Sequence, residues 1–204
     1  MHPKYMYINE SLKKYIDELG SPQPTPGGGS AAALTGATGT ALLEMVSNFT
    51  IGNDKYKAFE NDIKKYQTSL KKLREGFLGL IDDDVKAYSE IRAAFKSKDK
   101  KNIDRALKTG YYICFEICEL SRDALKIASA LPEKSNVNLV TDVGCGAELL
   151  NAAFNSGIFN CEINLKGMRE ECFTEKEIAI LVTLKKEAMA LYREAIQKTK
   201  ERMK

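Results

Sequence analysis

The chain has no tryptophan, one histidine and five prolines in 204 residues. The histidine is His2, at the very start, which speaks against histidine as catalyst or metal ligand. The five cysteines (Cys114, Cys118, Cys145, Cys161 and Cys172) are odd in number and form no CxxC pair. Neither a zinc site nor a disulfide framework follows from such spacing, so no metal and no cofactor is expected. Free thiols fit a reducing cytoplasm. Charge of one sign is also missing: the net charge is +3, with lysines and glutamates intermixed and no basic run, which excludes a nucleic-acid surface as an expectation. Met1 to Glu10 is polar and holds no signal-peptide core. Ser21 to Leu43 is uncharged but built of Gly, Ala, Ser, Thr and Pro, too weakly apolar to span a bilayer. No segment alternates with period two for long enough to form a sheet. What remains is an ordinary globular composition, 44% hydrophobic and 29% charged, and a single domain over residues 1–204 is expected.

The scarce prolines are concentrated. Three of the five, with three consecutive glycines, fall in Ser21-Pro-Gln-Pro-Thr-Pro-Gly-Gly-Gly-Ser30. Proline fixes φ and disfavours helix in the residue before it, and glycine reaches conformations that other residues avoid. The spacing predicts a shaped loop that ends at a helix start, with Ser30 as N-cap. Such a loop leaves backbone N–H groups aligned for an anionic ligand; a rigid turn with no ligand is the plain alternative.

Elsewhere the pattern is helical. Asn9 to Leu19 forms a short amphipathic helix with Leu12, Tyr15, Ile16 and Leu19 on one face and Gly20 as its stop. Ser30 to Phe49 forms a second, whose small residues (Ala33, Ala37, Ala41, Gly36, Thr40) let another backbone approach, and Gly52-Asn53 ends it. From Asp54 to Lys96, steps of four and three from Phe59 meet Ile63, Tyr66, Leu70, Leu73, Phe77, Leu80, Asp84, Ala87, Ile91 and Ala94. That mean period of about 3.5 marks the seam of a helix roughly 60 Å long. Gly76 and Gly79 inside it mark a kink or a close contact. A second seam runs from Ala106 to Leu131, with Pro132 as its end. A further helix starts at Thr141-Asp142 and continues through Cys161 to Leu165, with a possible kink at Gly157. Thr174 with Glu177 reads as a capping box for the last helix, whose Ile178, Leu181, Leu184, Ala188 and Leu191 face inward. The fold class expected is all-α: an up-and-down bundle of about six helices, several long enough to suggest a homodimer.

One position on the long seam is not apolar. Asp84, the last of the acidic cluster Asp82-Asp83-Asp84, sits where a core residue is expected. A carboxylate there must be paired, hydrogen-bonded or protonated. That suits acid–base chemistry, but equally a structural aspartate bonded to a lysine or to a helix N-terminus. Tyr88 is its neighbour one turn on. Asp142 in the first turn of a helix complements the dipole. Lys55, Lys57 and Lys96 are ordinary solvated lysines on sequence grounds, and Cys114 and Cys118 read as buried small hydrophobes.

Several of these segments together resemble a known family. Pro24-Thr-Pro-Gly-Gly-Gly-Ser-Ala-Ala-Ala33 with Ala41-Leu-Leu-Glu-Met-Val-Ser-Asn-Phe-Thr50 is similar to the hallmark of the cyclodeaminase/cyclohydrolase family. That family holds formiminotetrahydrofolate cyclodeaminase domains and methenyltetrahydrofolate cyclohydrolases. Asp84-Val-Lys-Ala-Tyr88 with Arg92-Ala-Ala-Phe-Lys96, Asn138-Leu-Val-Thr-Asp142 and Asn160-Cys-Glu-Ile-Asn-Leu165 resemble its later elements, in order along nearly the whole chain. Two features depart from the pattern. No proline falls in Thr109-Gly-Tyr-Tyr-Ile-Cys114, and Lys96-Ser97 stands where the family has Pro-Lys.

The resemblance implies an all-helical, dimeric enzyme that acts on a tetrahydrofolate derivative without a metal. It implies Asp84 and Asp142 as catalytic carboxylates. It implies folate contacts from Pro26, Gly27, Gly28, Gly29, Ser30 and Tyr88, with Lys55 or Lys96 meeting the glutamate tail. Two reactions are on offer: hydrolysis of 5,10-methenyltetrahydrofolate to 10-formyltetrahydrofolate, and ammonia-releasing cyclisation of 5-formiminotetrahydrofolate. The sequence shows no formiminotransferase domain, which favours the hydrolysis. A non-catalytic helical folate-binding or interaction module is the reading from another class.

Overall fold

The computed structural model describes residues 6–204, so His2 lies outside the described residues. Six α-helices follow one another, with no strand among the described residues: α1 (Leu12–Leu19), α2 (Gly28–Thr50), α3 (Glu60–Ser97), α4 (Lys100–Lys134), α5 (Val140–Gly167) and α6 (Glu171–Arg202). The all-α expectation holds. Helices α2, α3, α4 and α5 pack as a ring in chain order, with α5 closing back onto α2, and α6 lies along α4 and α5. No helix among the described residues is long and apolar enough to cross a membrane.

The 3.5-residue seams are the core. Ile63, Leu70 and Phe77 of α3 and Ile117, Ala124 and Leu131 of α4 are fully excluded from solvent. The small residues of α2 do the work expected of them. A Cβ at Gly36 would stand 2.3 Å from the buried Phe77 ring, and one at Gly39 would stand 2.9 Å from the Gly146 carbonyl oxygen on α5. The reverse contact, Gly146 against the Gly39 carbonyl, is 3.0 Å, so the two backbones touch with nothing between them. Gly39→Val is therefore expected to lower stability by roughly 1–3 kcal/mol through overpacking, read as a shifted urea midpoint. Neither Gly157 nor Gly76 interrupts its helix. Each admits a neighbour instead: Cys118 Sγ would lie 2.7 Å from a Cβ at Gly157, and Leu120 3.0 Å from one at Gly76. Gly52, at φ 78°, makes the left-handed turn after α2 that a side chain would oppose.

Six local expectations are corrected. Ser30 is not the N-cap of α2; the helix begins two residues earlier, with Gly27 as cap. Residues 54–59 form a 3₁₀ turn before α3 proper. Pro132 does not end α4, which runs to Lys134. The helix passes through Pro132 without the bond that an N–H there would give Ala128, and Ser135 closes the turn by donating its N–H to Leu131 at 2.9 Å. Thr174 is inside α6, three residues past its start, and its partner Glu177 is buried. The Tyr111 hydroxyl donates to Glu177 Oε2 at 2.7 Å, so Glu177 holds the seam position and Ile178 turns outward, 48% exposed. Finally, α1 buries only its tyrosine: Leu12 and Ile16 face away from the bundle, 66% and 51% exposed.

Candidate active site

The three aspartates at 82–84 are about 100° apart around α3, and each has its own task. Asp82 is buried and accepts the Tyr7 N–H at 2.6 Å, anchoring the turn before α1. Asp83 pairs with Lys86 near the surface. Asp84 points at the start of α2, where its Oδ2 accepts the Ser30 N–H at 2.9 Å. The first N–H groups of a helix have no partner inside it. Here a carboxylate from α3 supplies the bond that the Ser30 hydroxyl was expected to give, and the serine Oγ instead shares a hydrogen bond of 3.0 Å with the buried Tyr15 phenol. Glycine at 29 is what lets this happen: a Cβ there would stand 2.1 Å from Asp84 Oδ1. Burial holds the Asp84 carboxyl above the usual carboxylate range, with the Ser30 N–H pulling the other way. Among the described residues no lysine or arginine pairs with it.

Asp84 opens onto a trough of about 510 Å³. Helix α4 lies between α3 and α5 and forms its floor through Cys114, Gly110 and Leu107. One wall is α3, with Asp84, Tyr88, Ile91 and Phe95; the other is α5, with Asn160, Ile163 and Asn164. The glycine loop, from Pro24 to Gly29, closes one end. The walls are stacked in layers. Cys114 lies in the field of the Asp84 carboxylate, which adds to the burial that pushes its thiol pKa up and keeps it protonated. In the next layer a Cβ at Gly110 would meet Ile91 at 2.9 Å and Asn164 Oδ1 at 3.1 Å. Beyond it, Gly167 backs onto Leu107 and Lys166 stands at the rim. Along α3 the eleven steps from Asp84 to Phe95 give the trough a length of about 16 Å. It is long, with largely apolar walls, an anionic group and helix-start N–H groups at one end, and an amine at the other. Such a trough suits a planar, elongated molecule with a cationic or N–H-rich head.

The expected site residues divide. Asp84, Tyr88, Gly27, Gly28 and Gly29 line the trough together. The N–H groups of Gly28 and Gly29 make no hydrogen bond among the described residues and remain available. Pro26 and Ser30 are buried behind that surface and support it. Lys96 follows Phe95 on the last turn of α3 and is exposed without lining the trough. Lys55 precedes α3, at least 36 Å from Asp84 along the helix direction by the rise from Glu60, roughly at the other end of the bundle. Asp142 is in the first turn of α5, about 27 Å along that helix from Asn160. The residues that the sequence did not single out as contacts are Asn160, Asn164, Lys166 and the apolar wall. Asn160 and Asn164 are two asparagines one turn apart, but Asn151 and Asn155 on the same helix repeat that spacing, so sequence alone did not single them out.

The model of the family described as formiminotransferase-cyclodeaminase matches residues 11–182. A methenyltetrahydrofolate cyclohydrolase from Methylorubrum extorquens is 36% identical over 192 residues, covering 90% of this chain and 92% of that protein. A formimidoyltransferase-cyclodeaminase from Rattus norvegicus is 24% identical over 195 residues, and this chain spans only 36% of its length. Among solved structures, a formiminotetrahydrofolate cyclodeaminase from Thermotoga maritima superimposes with a TM-score of 0.91 at 27% identity, covering 95% of this chain and 97% of that one. The matched stretch runs from the start of α1 into α6 and takes in the glycine loop and all three helices of the trough, so the chain belongs to the formiminotransferase-cyclodeaminase family.

Proposed function

We propose that the chain hydrolyses 5,10-methenyltetrahydrofolate to 10-formyltetrahydrofolate. The observation that carries this reading is the 36% identity to a cyclohydrolase over nearly the full length of both proteins, joined to a half-buried carboxylate, without a cationic partner, that lines a largely apolar trough. Water adds to the bridging carbon, which is part of a cationic amidine. The bond from that carbon to N5 breaks, and the formyl group stays on N10. One proton is released overall. Asp84 takes a proton from the attacking water and can return one to N5 as it leaves; a carboxyl raised above its usual range is a better base for this than an exposed one. Its charge also favours the cationic carbon in a site of low polarity. The N–H groups of Gly28 and Gly29 donate to an oxygen of the ligand, and Tyr88 and Phe95 cover its rings. Lys166, at the far rim, is better placed for a tail carboxylate than Lys55 or Lys96.

The second reading is ammonia-releasing cyclisation of 5-formiminotetrahydrofolate, favoured by the 0.91 TM-score to a cyclodeaminase. The two are separated by supplying each substrate to the pure protein. Loss of methenyl absorbance is expected from the first. Gain of absorbance with ammonia from the formimino compound would select the second, and no change with either would leave only binding.

We further propose a homodimer through α2 and α5, adjacent members of the ring. The outward side of α2 carries Thr38, Ala41 and Phe49 exposed, and residues 28–43 hold no charge at all. Asp142 and Asn160 are eighteen residues apart, five helical turns, and so lie on the same side of α5. A second copy laying its α5 antiparallel against this one brings its Asp142 beside Asn160 here. Asp142 thus enters the site from the other chain. Ala41→Arg is expected to yield a monomer in sedimentation and to lose most of its turnover. A monomer with full turnover would remove Asp142 from the site.

A further inference from the structure

Asn160 and Asn164 are one turn apart on α5, and both line the trough on the wall facing Asp84. Each amide is locked by its own helix. Asn160 Nδ2 donates to the Ser156 carbonyl at 2.8 Å, and Asn164 Nδ2 donates to the Asn160 carbonyl at 2.8 Å. A carbonyl can only accept, so each amide must turn its NH₂ group back along the helix. The Oδ1 atom is then fixed on the other side as an acceptor, and no donor meets either Oδ1 among the described residues. At Asn164 the neighbouring backbone leaves room: a Cβ at Gly110 would stand 3.1 Å from its Oδ1, whereas one at Gly28 would only reach ordinary contact with Asn160, 3.4 Å from Nδ2. Packing alone does not call for this arrangement. Asparagine is a weak helix former, and leucine would fill the same volume on an apolar wall at no cost in unpaired polar atoms.

We infer that Asn160 and Asn164 are specificity-determining residues that accept hydrogen bonds from the pterin ring of the substrate, an inference that rests on the folate reading above. A reduced pterin presents a ring N–H beside an amino group, two donors on one edge. Two acceptors one helical turn apart, fixed before the ligand arrives, read such an edge with little ordering cost. They hold the pterin against α5 while Asp84, across the trough, addresses the bridging carbon. The rest of the ligand, a benzoyl-glutamate tail with two carboxylates and a single amide N–H, has no pair of adjacent donors to offer and is left to the rim at Lys166.

The test compares Asn160→Leu and Asn164→Leu with the wild type, using two probes. 5-Formyltetrahydrofolate carries pterin and tail without being the substrate; p-aminobenzoylglutamate carries the tail alone. Each leucine variant is expected to bind 5-formyltetrahydrofolate roughly tenfold more weakly or worse, as for a lost hydrogen bond that leaves a ligand donor unpaired, with inhibition by p-aminobenzoylglutamate unchanged. Asn164→Ser guards against a folding defect, because a serine hydroxyl can still donate to the carbonyl one turn back while offering no amide acceptor. It is expected to show the same selective loss at an unchanged melting temperature. Unchanged affinity for 5-formyltetrahydrofolate, or equal losses for both probes, would overturn the assignment while leaving the folate reading standing. A wild type that binds neither probe would end both.

Discussion

Asp84→Asn is expected to lose turnover by about 10²–10³-fold, the scale of removing a positioned base or a preorganised charge, while folding as the wild type does. The fold is spared because the asparagine Oδ1 can accept the same Ser30 N–H that Asp84 Oδ2 accepts at 2.9 Å. The stability consequence has a definite sign. Asp84 has a folded-state pKa raised above its ordinary value by burial, so the native chain binds that proton more tightly than the unfolded one. Its contribution favours the native state below the ordinary carboxylate pKa and is lost as pH rises through the raised one. At neutral pH the ionised form is therefore a burden on folding that asparagine relieves. The variant should melt at the same temperature as the wild type or higher at pH 7, and the difference should shrink on acidification. A purely structural cap would melt in the same way, because asparagine keeps the Ser30 bond, so turnover is what separates the two roles. Turnover of the wild type should also fall on the acid side with an apparent pKa above the normal aspartate range. If Asp84→Asn turns over normally, the carboxylate is only the cap of α2.

Gly29→Ala is expected to cost turnover about as much as a 1 Å displacement of a catalytic group does, on the order of 10²-fold. The new Cβ would stand 2.1 Å from Asp84 Oδ1 and 2.6 Å from its Cγ, so the carboxylate has to move and the Ser30 N–H loses its partner. The backbone is not the obstacle, since an alanine at this position in α2 has ordinary helical conformation. Gly27→Ala is the comparison within the loop: no protein atom lies within 4 Å of a Cβ there, so Asp84 need not move and the loss of turnover should be well short of that at Gly29. Stopped-flow or steady-state loss of methenyl absorbance measures both. Equal effects at 27 and 29 would mean that the loop acts through its flexibility and not through room for Asp84.

Taken alone, the glycine loop is ambiguous between an anion cradle and a rigid turn. It is neither in the simple sense. Its third glycine, Gly29, makes space for the carboxylate of Asp84, which lies 54 residues beyond Ser30 in the chain, and its first N–H groups stay free.

The 3.5-residue spacing from Ile63 to Ala94 determined α3 and singled out Asp84, because burying one stripe of a helix demands apolar residues at that period and a carboxylate there stands out. The ordered motifs determined the family and, with it, the substrate class. Helix boundaries were less legible: Ser30, Pro132 and Thr174 carry strong local signals, yet each was overruled by a partner distant in sequence or by a neighbouring turn that tolerated it. The trough itself was decided only by tertiary structure. Leu107, Gly110 and Cys114 are ordinary seam residues of α4, and nothing in their spacing says that α3 and α5 leave them uncovered. Asn160 and Asn164 face Asp84 because the glycine contacts, Gly39 on Gly146 and Gly157 on Cys118, set the depth at which α5 seats against α2 and α4. Hydrophobic period fixes which face of a helix is buried, whereas close backbone contacts fix how far along and how deep, and only the second brings chemistry from three helices to one place.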